Sequence, residues 1–165
     1  LAQRSVASKG YYETITWSFS DEKINDKFRE NLETVKIINP ISSELGVLRN
    51  SLYPNLIYYM EKNINRGFVD QSLFEIGPVF FGKKPGDQKT VVCGIKKKQH
   101  DEQDYLGEKD INVFDIKRDL IQALVELGVD KDEMFIEDIS PSYYHPGISG
   151  SISSKDKKKL SLIHI

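Results

Sequence analysis

Histidine, cysteine and clustered acids are where chemistry would be sought in this 165-residue chain, and few of them stand in a working arrangement. His145 lies in Tyr143-Tyr144-His145-Pro146-Gly147. A histidine works as a general base only with a hydroxyl or carboxylate partner within hydrogen-bond reach, which sequence does not supply. Pro146-Gly147 marks a tight turn, so His145 reads first as a turn residue and second as a contact residue. His100 stands in a charged loop and His164 on an end strand. The single cysteine, Cys93, sits in Thr90-Val91-Val92-Cys93-Gly94-Ile95 and reads as an inert thiol of a buried strand, since reactive thiols need an open, electropositive setting.

Other sites of chemistry are missing at the level of spacing. Three histidines and one cysteine form no metal-ligand cluster, and one cysteine makes no intrachain disulfide. Asp101-Glu102-Gln103-Asp104 lacks the glycine and distal Glu of a Ca²⁺ loop and reads as a hydrated loop. Gly46, Gly67, Gly77 and Gly82 are isolated, so no phosphate-cradling loop is seen, and there is no Gly-x-Ser-x-Gly elbow. Lys96-Lys97-Lys98 and Lys157-Lys158-Lys159 read as solvated strand ends before RNA contacts, because the formal net charge is −2.

Composition bounds the class. Hydrophobic residues at 39% and charged residues at 29% fit a folded globular chain, and the apolar runs fall far short of the ~20 residues a membrane helix needs. One domain spanning residues 1–165 is expected, in the cytoplasm, with no signal-peptide pattern. The start at Leu1 and the strand-like end at Leu162-Ile163-His164-Ile165 suggest a piece excised from something longer.

The elements that must position any site follow from periodicity. Tyr11 to Phe19 alternates, Ile15, Trp17 and Phe19 against Thr14, Thr16 and Ser18, which predicts a strand. Ser20 reads as the N-cap of a short helix ending near Asn31, with Asp21 and Glu22 in its first turn. Val35–Ile38 is a second strand, stopped by Asn39-Pro40. Ser51–Asn65 is a helix with Pro54 near its start, Gly67 beyond its end, and Leu52, Leu56, Tyr59, Met60 and Asn63 on one face. Leu73–Phe81 and Lys89–Ile95 form an antiparallel hairpin across a Gly/Pro/Asp turn. Asp115–Leu127 is a second helix, with Ile116, Leu120, Ile121, Leu124 and Val125 inward and Gly128 at C′. Short strands are expected at Met134–Glu137, Ile148–Ser153 and Leu160–Ile165. The class is α+β, an antiparallel β-sheet flanked by helices.

Three blocks together carry a resemblance. They are Gly10-Tyr11-Tyr12-Glu13 continuing to Trp17-Ser18-Phe19, then Asn39-Pro40-Ile41-Ser42 followed by Leu48-Arg49-Asn50-Ser51-Leu52-Tyr53-Pro54-Asn55-Leu56, then Leu73-Phe74-Glu75-Ile76-Gly77-Pro78-Val79-Phe80. Asn63 and Arg66 lead into the third block. In this order and spacing they resemble the β subunit of phenylalanyl-tRNA synthetase, in its synthetase-like core, most similar to the bacterial form. Phe114-Asp115-Ile116-Lys117-Arg118 and Tyr144-His145-Pro146-Gly147 resemble later motifs of the family, with Arg118 for the usual Gly, and Ile148 and Gly150 for the usual Arg and Ala.

The resemblance implies a class II aminoacyl-tRNA synthetase-like fold that has lost its chemistry. The family's β subunit joins an α subunit in an α2β2 assembly; the α subunit activates phenylalanine with ATP and passes it to tRNA-Phe, and the holoenzyme uses ATP and Mg²⁺. Contact of tRNA with β rests mainly on other parts of the molecule. In active class II enzymes an arginine after the strand matching Phe74–Phe80 meets the ATP α-phosphate, and here Phe81-Gly82-Lys83 stands instead. No catalytic, cofactor or metal residue is therefore expected in this stretch. Asn39, Pro40, Arg49, Asn63, Arg66, Glu75 and His145 are the structural or subunit-interface candidates. Arg49, Glu75 and Arg66 read first as a buried ion-pair set and second as α-subunit contacts. The competing expectation is an active or regulatory histidyl-type class II relative that binds an amino acid and ATP.

Overall fold

A hairpin of β-branched and aromatic residues forms the centre of the stretch Tyr11–Lys97. Strands β4 (Gln71–Phe80) and β5 (Gln88–Lys97) pair antiparallel, with Leu73 opposite Ile95, Glu75 opposite Cys93 and Phe80 opposite Gln88. The ladder runs two residues further than expected at the end away from the turn, to Gln71 and Lys97, and β4 stops at Phe80, one residue before the expected Phe81. In the turn the Asp87 carboxylate accepts from Lys84 N at 2.9 Å, and Gly86 adopts φ +98°. The computed structural model describes residues 1–28, 32–97, 111–145, 147–155 and 159–164, the last stretch by its backbone. Two compact units emerge, Tyr11–Lys97 and a second made of Leu1–Gly10 with Lys98–Ile165.

In the Tyr11–Lys97 unit, β1 (Tyr12–Glu13) runs parallel to β4, Tyr12 beside Leu73, so this sheet, ordered β1-β4-β5, is mixed rather than antiparallel throughout. The strand expected from Tyr11 to Phe19 is broken. Ladder pairing resumes only at β2 (Phe19–Ser20), which joins β3 (Val47–Leu48) in a separate two-stranded sheet. Val35–Ile38 contributes a single bridge, Lys36 to Val47, in place of a strand. Helix α2 (Glu22–Asp26) is capped by Asp21 rather than Ser20. The Asp21 carboxylate accepts from Lys23 N at 2.8 Å and Ile24 N at 3.2 Å, and its charge favours the positive helix end. The helix ends at Asp26, with Lys27 as its C-cap, short of the expected end near Asn31.

Helix α3 (Tyr53–Ile64) carries Pro54 in its first turn, where a missing N–H costs nothing. Leu52 holds the cap position, and the expected cap, Ser51, still accepts from Tyr53 N at 3.2 Å. Leu52 and Leu56 are buried, as are Tyr11, Val47, Leu73, Phe74 and Val79, and these form the core of the unit.

The second unit pairs two helices with a sheet. Helix α1 (Ala2–Ala7), unpredicted from sequence, is tied to α4 (Val113–Glu126) by Lys9, whose Nζ lies 2.9 Å from Glu126 Oε1 and donates to Ser5 O at 3.0 Å. Helix α4 starts two residues before the expected Asp115 because Asn112 and Asp115 form a reciprocal capping box. Its buried positions are Asp119 and Ala123, whereas Val125, expected inward, is exposed. Strands β6 (Met134–Glu137), β7 (Ser149–Ser154) and β8 (Lys159–His164) form an antiparallel sheet in that order.

Candidate functional site

Strand β4 turns Glu75 into the interior, and the segment after β3 delivers Arg49 to the same place. Both are almost fully buried, at 3% and 2% exposure. Buried charges persist only when paired and hydrogen-bonded. Arg49 Nη1 lies 2.8 Å from Glu75 Oε1, and Arg49 Nε donates to the Pro78 carbonyl at 2.9 Å. Gly77 leaves the room for this. A Cβ there would collide with Arg49 Nη2, so the guanidinium lies across the one position of β4 without a side chain.

The pair reaches outward to a strap of chain, residues 14–18. Thr16 Oγ1 donates to Glu75 Oε2 at 2.7 Å and accepts from Arg49 Nη1 and from Asn55 Nδ2, each at 2.9 Å. The Trp17 carbonyl accepts from Asn55 Nδ2 at 3.0 Å and from Arg49 Nη1 at 3.3 Å. Thr14 donates through N and Oγ1 to the Phe74 carbonyl at 2.7 and 3.0 Å, and Arg49 N donates to Ser18 O at 3.0 Å. Backbone bonds thus hold the two ends of the stretch, and the side chains of Glu75, Asn55 and Arg49 hold its middle.

A second polar cluster abuts the first through the adjacent residue. Asn50 N donates to Asn25 Oδ1 at 2.9 Å, Asn25 Nδ2 donates back to Asn50 Oδ1, and Asn50 Nδ2 donates to Phe80 O at 2.6 Å. Asn25 and Asn50 are both buried. Among the described residues no buried side-chain nitrogen or oxygen is left without a hydrogen-bond partner.

Electrostatics around the hairpin favour neutral, inert groups. Burial, and then the Glu75 carboxylate across the ladder, push the Cys93 thiol up to about 12. Burial, with a smaller effect of Cys93, also raises the Tyr53 phenol. Neither is a poised nucleophile or base at neutral pH. Just after β4, Phe81 is exposed, and Lys83 lies on the exposed turn 2.8 Å from Glu33 Oε1. Hydrogen bonding to Glu33, followed by its charge, raises the Lys83 pKa.

The residues singled out from sequence are thus scattered. Arg49 and Glu75 meet, but Arg66 is exposed beyond the end of α3, apart from them. Asn63 Nδ2 donates to Gln71 Oε1 at 2.9 Å, and Gln71 Nε2 in turn donates to Phe68 O at 2.6 Å, which fastens the end of α3 to the start of β4. Asn39 and Pro40 lie exposed in a bend. His145 is exposed, its Nδ1 accepts from Gly147 N at 3.1 Å, and its carbonyl accepts from Ser149 Oγ at 2.7 Å, while Pro146 lies outside the described residues. Nothing in the sequence marks Thr16, Asn25, Asn50 or Asn55 as a site residue. The only sequence signal for Thr16 was its place on the polar side of an alternating run.

Comparison with known proteins gives this architecture its relatives. A family model described as the phenylalanyl tRNA synthetase beta chain CLM domain matches residues 1–163. The chain is 35% identical over 156 residues to a phenylalanine–tRNA ligase beta subunit of Paramagnetospirillum magneticum, covering 94% of this chain and 20% of that protein. It is 38% identical over 152 residues to the corresponding subunit of Cereibacter sphaeroides, covering 92% and 19%. The chain therefore spans about a fifth of the length of the curated relatives it matches. Among solved structures, a pyrrolysyl tRNA synthetase of Desulfitobacterium hafniense superposes with a TM-score of 0.63 at 15% identity, covering 98% of this chain and 54% of that one. At that identity the likeness concerns the fold alone.

Proposed function

This chain belongs to the phenylalanyl-tRNA synthetase beta-chain family, and we propose that it serves as a single class II-type, catalytically silent scaffold beside the α subunit of phenylalanine–tRNA ligase. In this role it helps hold together, in the cytoplasm, an α2β2 enzyme that charges tRNA-Phe with phenylalanine. ATP and Mg²⁺ are then used by the holoenzyme, whose active site the α subunit carries, and tRNA is contacted mainly by other parts of the assembly.

The observation that carries this is the commitment of Arg49. Adenylyl transfer relies on fixed cations aimed at the phosphates, free to engage developing charge. The buried cation beside β4 is already held by Glu75, Thr16 and the carbonyls of Trp17 and Pro78. The position after the strand is Phe81, which cannot pair with phosphate, and Lys83 is engaged by Glu33 on an exposed turn. A lysine there is also a point charge without the fork of an arginine.

Phenylalanine-dependent pyrophosphate exchange tests the proposal. The chain alone is expected to show none, and an α-subunit preparation is expected to bind it in gel filtration with light scattering at the summed mass. Exchange catalysed by the chain alone would overturn catalytic silence, and two separate peaks would remove the scaffold role.

A further inference from the structure

The strap over the Arg49–Glu75 pair is closed by polar bonds rather than by burial. A half-buried alternating stretch ordinarily turns its apolar side chains inward, and their burial supplies the closing free energy. Here Thr14 and Thr16 bond inward, to Phe74 O and to Glu75, while Ile15 and Trp17 are 93% and 63% exposed. The two largest side chains of residues 14–18 therefore add little to its closure.

Three bonds meet at one atom instead. The Thr16 hydroxyl donates to Glu75 Oε2 and accepts from Arg49 Nη1 and Asn55 Nδ2. A hydroxyl has one proton to donate and two lone pairs to accept with, so its capacity is fully occupied. Two of its partners are fixed without it: Arg49 and Glu75 hold each other, and Arg49 Nε donates to the Pro78 carbonyl. On either side the strap hangs from backbone, since Thr14 N donates to Phe74 O and Ser18 O accepts from Arg49 N. Between those anchors Thr16 N donates to Glu75 Oε1 at 3.4 Å, and the Trp17 carbonyl accepts from Asn55 Nδ2 and Arg49 Nη1.

We propose that residues 15–17 form a latched strap, a segment that opens and closes locally while the β4–β5 hairpin and α3 stay folded, with the Thr16 hydroxyl as its catch. Opening breaks bonds to three side chains and gives up little apolar burial, whereas opening the core exposes Leu52, Leu56 and Phe74. Segments with few buried apolar contacts open at a free energy well below that of the whole domain. Closed, the strap screens Arg49 and Glu75 from water; open, it admits water to both charges, and their mutual bond remains. The latch is a property of the fold and stands whether or not the chain binds an α subunit.

Amide exchange of peptides covering residues 14–19 and 71–80, across a series of low urea concentrations, tests the latch, with circular dichroism as the check on folding. In the parent chain, exchange in 14–19 is expected to be faster than in 71–80 and insensitive to urea, because local opening exposes little surface. Thr16→Val, which lacks the hydroxyl, is expected to speed exchange in 14–19 by about tenfold or more, the scale of a lost hydrogen bond to a charged group. Thr16→Ser keeps the hydroxyl and matches the parent. Trp17, the only tryptophan, reports the same motion, and its fluorescence anisotropy should decay faster in Thr16→Val. Exchange in 14–19 that rises with urea in step with 71–80 in the parent would overturn the latch, because the strap would then open only with the whole unit. Parent-like exchange of 14–19 in a folded Thr16→Val would overturn it too. If Thr16→Val does not fold, Asn55→Ala, which removes two bonds to the strap and leaves the ion pair intact, is expected to accelerate 14–19 severalfold and nothing else, and no acceleration there would sink the idea.

Discussion

At the scale of residues, Arg49 and Glu75 have no independent fate. Removing one leaves the other charged and buried, which typically costs about 3–5 kcal/mol. Glu75→Ala is therefore expected to lower the denaturation midpoint sharply, whereas Glu33→Ala, whose partner Lys83 sits in water, is expected to leave it nearly unchanged. Gly77→Ala should cost about 1–3 kcal/mol, the usual range for overpacking, because the new methyl meets Arg49. Cys93 gives a pH signature. Its thiol pKa is raised from 9.0 to about 12 in the folded chain, so the native state holds that proton more tightly than the unfolded one. The resulting stability is complete below the unfolded value and is lost as pH rises toward 12. Urea midpoints of the parent and Cys93→Ala should thus converge or cross between pH 8 and pH 11, the parent losing more; parallel profiles would contradict the raised thiol.

At the scale of elements, helix ends and ties decide local order. Asn112→Ala removes the acceptor for Phe114 N and Asp115 N and is expected to cost about 1 kcal/mol, seen as faster amide exchange in the first turn of α4. In α1, the bond from Lys9 to Glu126 does the tethering. Hydrogen bonding by Ser5, then Lys9, holds the Glu126 carboxyl below its usual range. A depressed carboxyl stabilises above its unfolded pKa and loses that contribution as pH falls through the folded value. Amides of Gln3–Ser8 should therefore lose protection on acidification, and Glu126→Gln should show reduced protection already at pH 7. The elements also show where local pattern suffices. The hairpin, α3 and α4 were legible because turn residues, caps and three- or four-residue spacing act within a few positions. Alternation, a local signal, predicts one strand for the Tyr11–Phe19 run, whereas its middle is held by side chains from distant elements.

At the scale of the whole molecule, two units each carry their own core, Leu52, Leu56 and Phe74 in one, Ala123 and Ile152 in the other. Hydrogen exchange across a denaturant series should give two opening free energies, one for peptides within 71–97 and one for those within 113–126. A single shared value would make residues 1–165 one cooperative domain. The family was legible from sequence because its blocks are contiguous runs of residues, each recognisable alone and specific in combination. Arg49 and Glu75 stood out for the same reason, while Arg66, grouped with them on charge, lies exposed at the end of α3. The sequence by itself determined the family, the hairpin and the principal helices, since short-range periodicity and ordered motifs need no third dimension. Only the tertiary structure decided which groups meet: Arg49 and Glu75 are 26 positions apart, Asn25 and Asn50 are 25 apart, and Thr16 and Glu75 are 59 apart. It also decided which way the strap faces. Alternation names two faces without saying which is inward, and here buried charge, rather than apolar surface, made the choice.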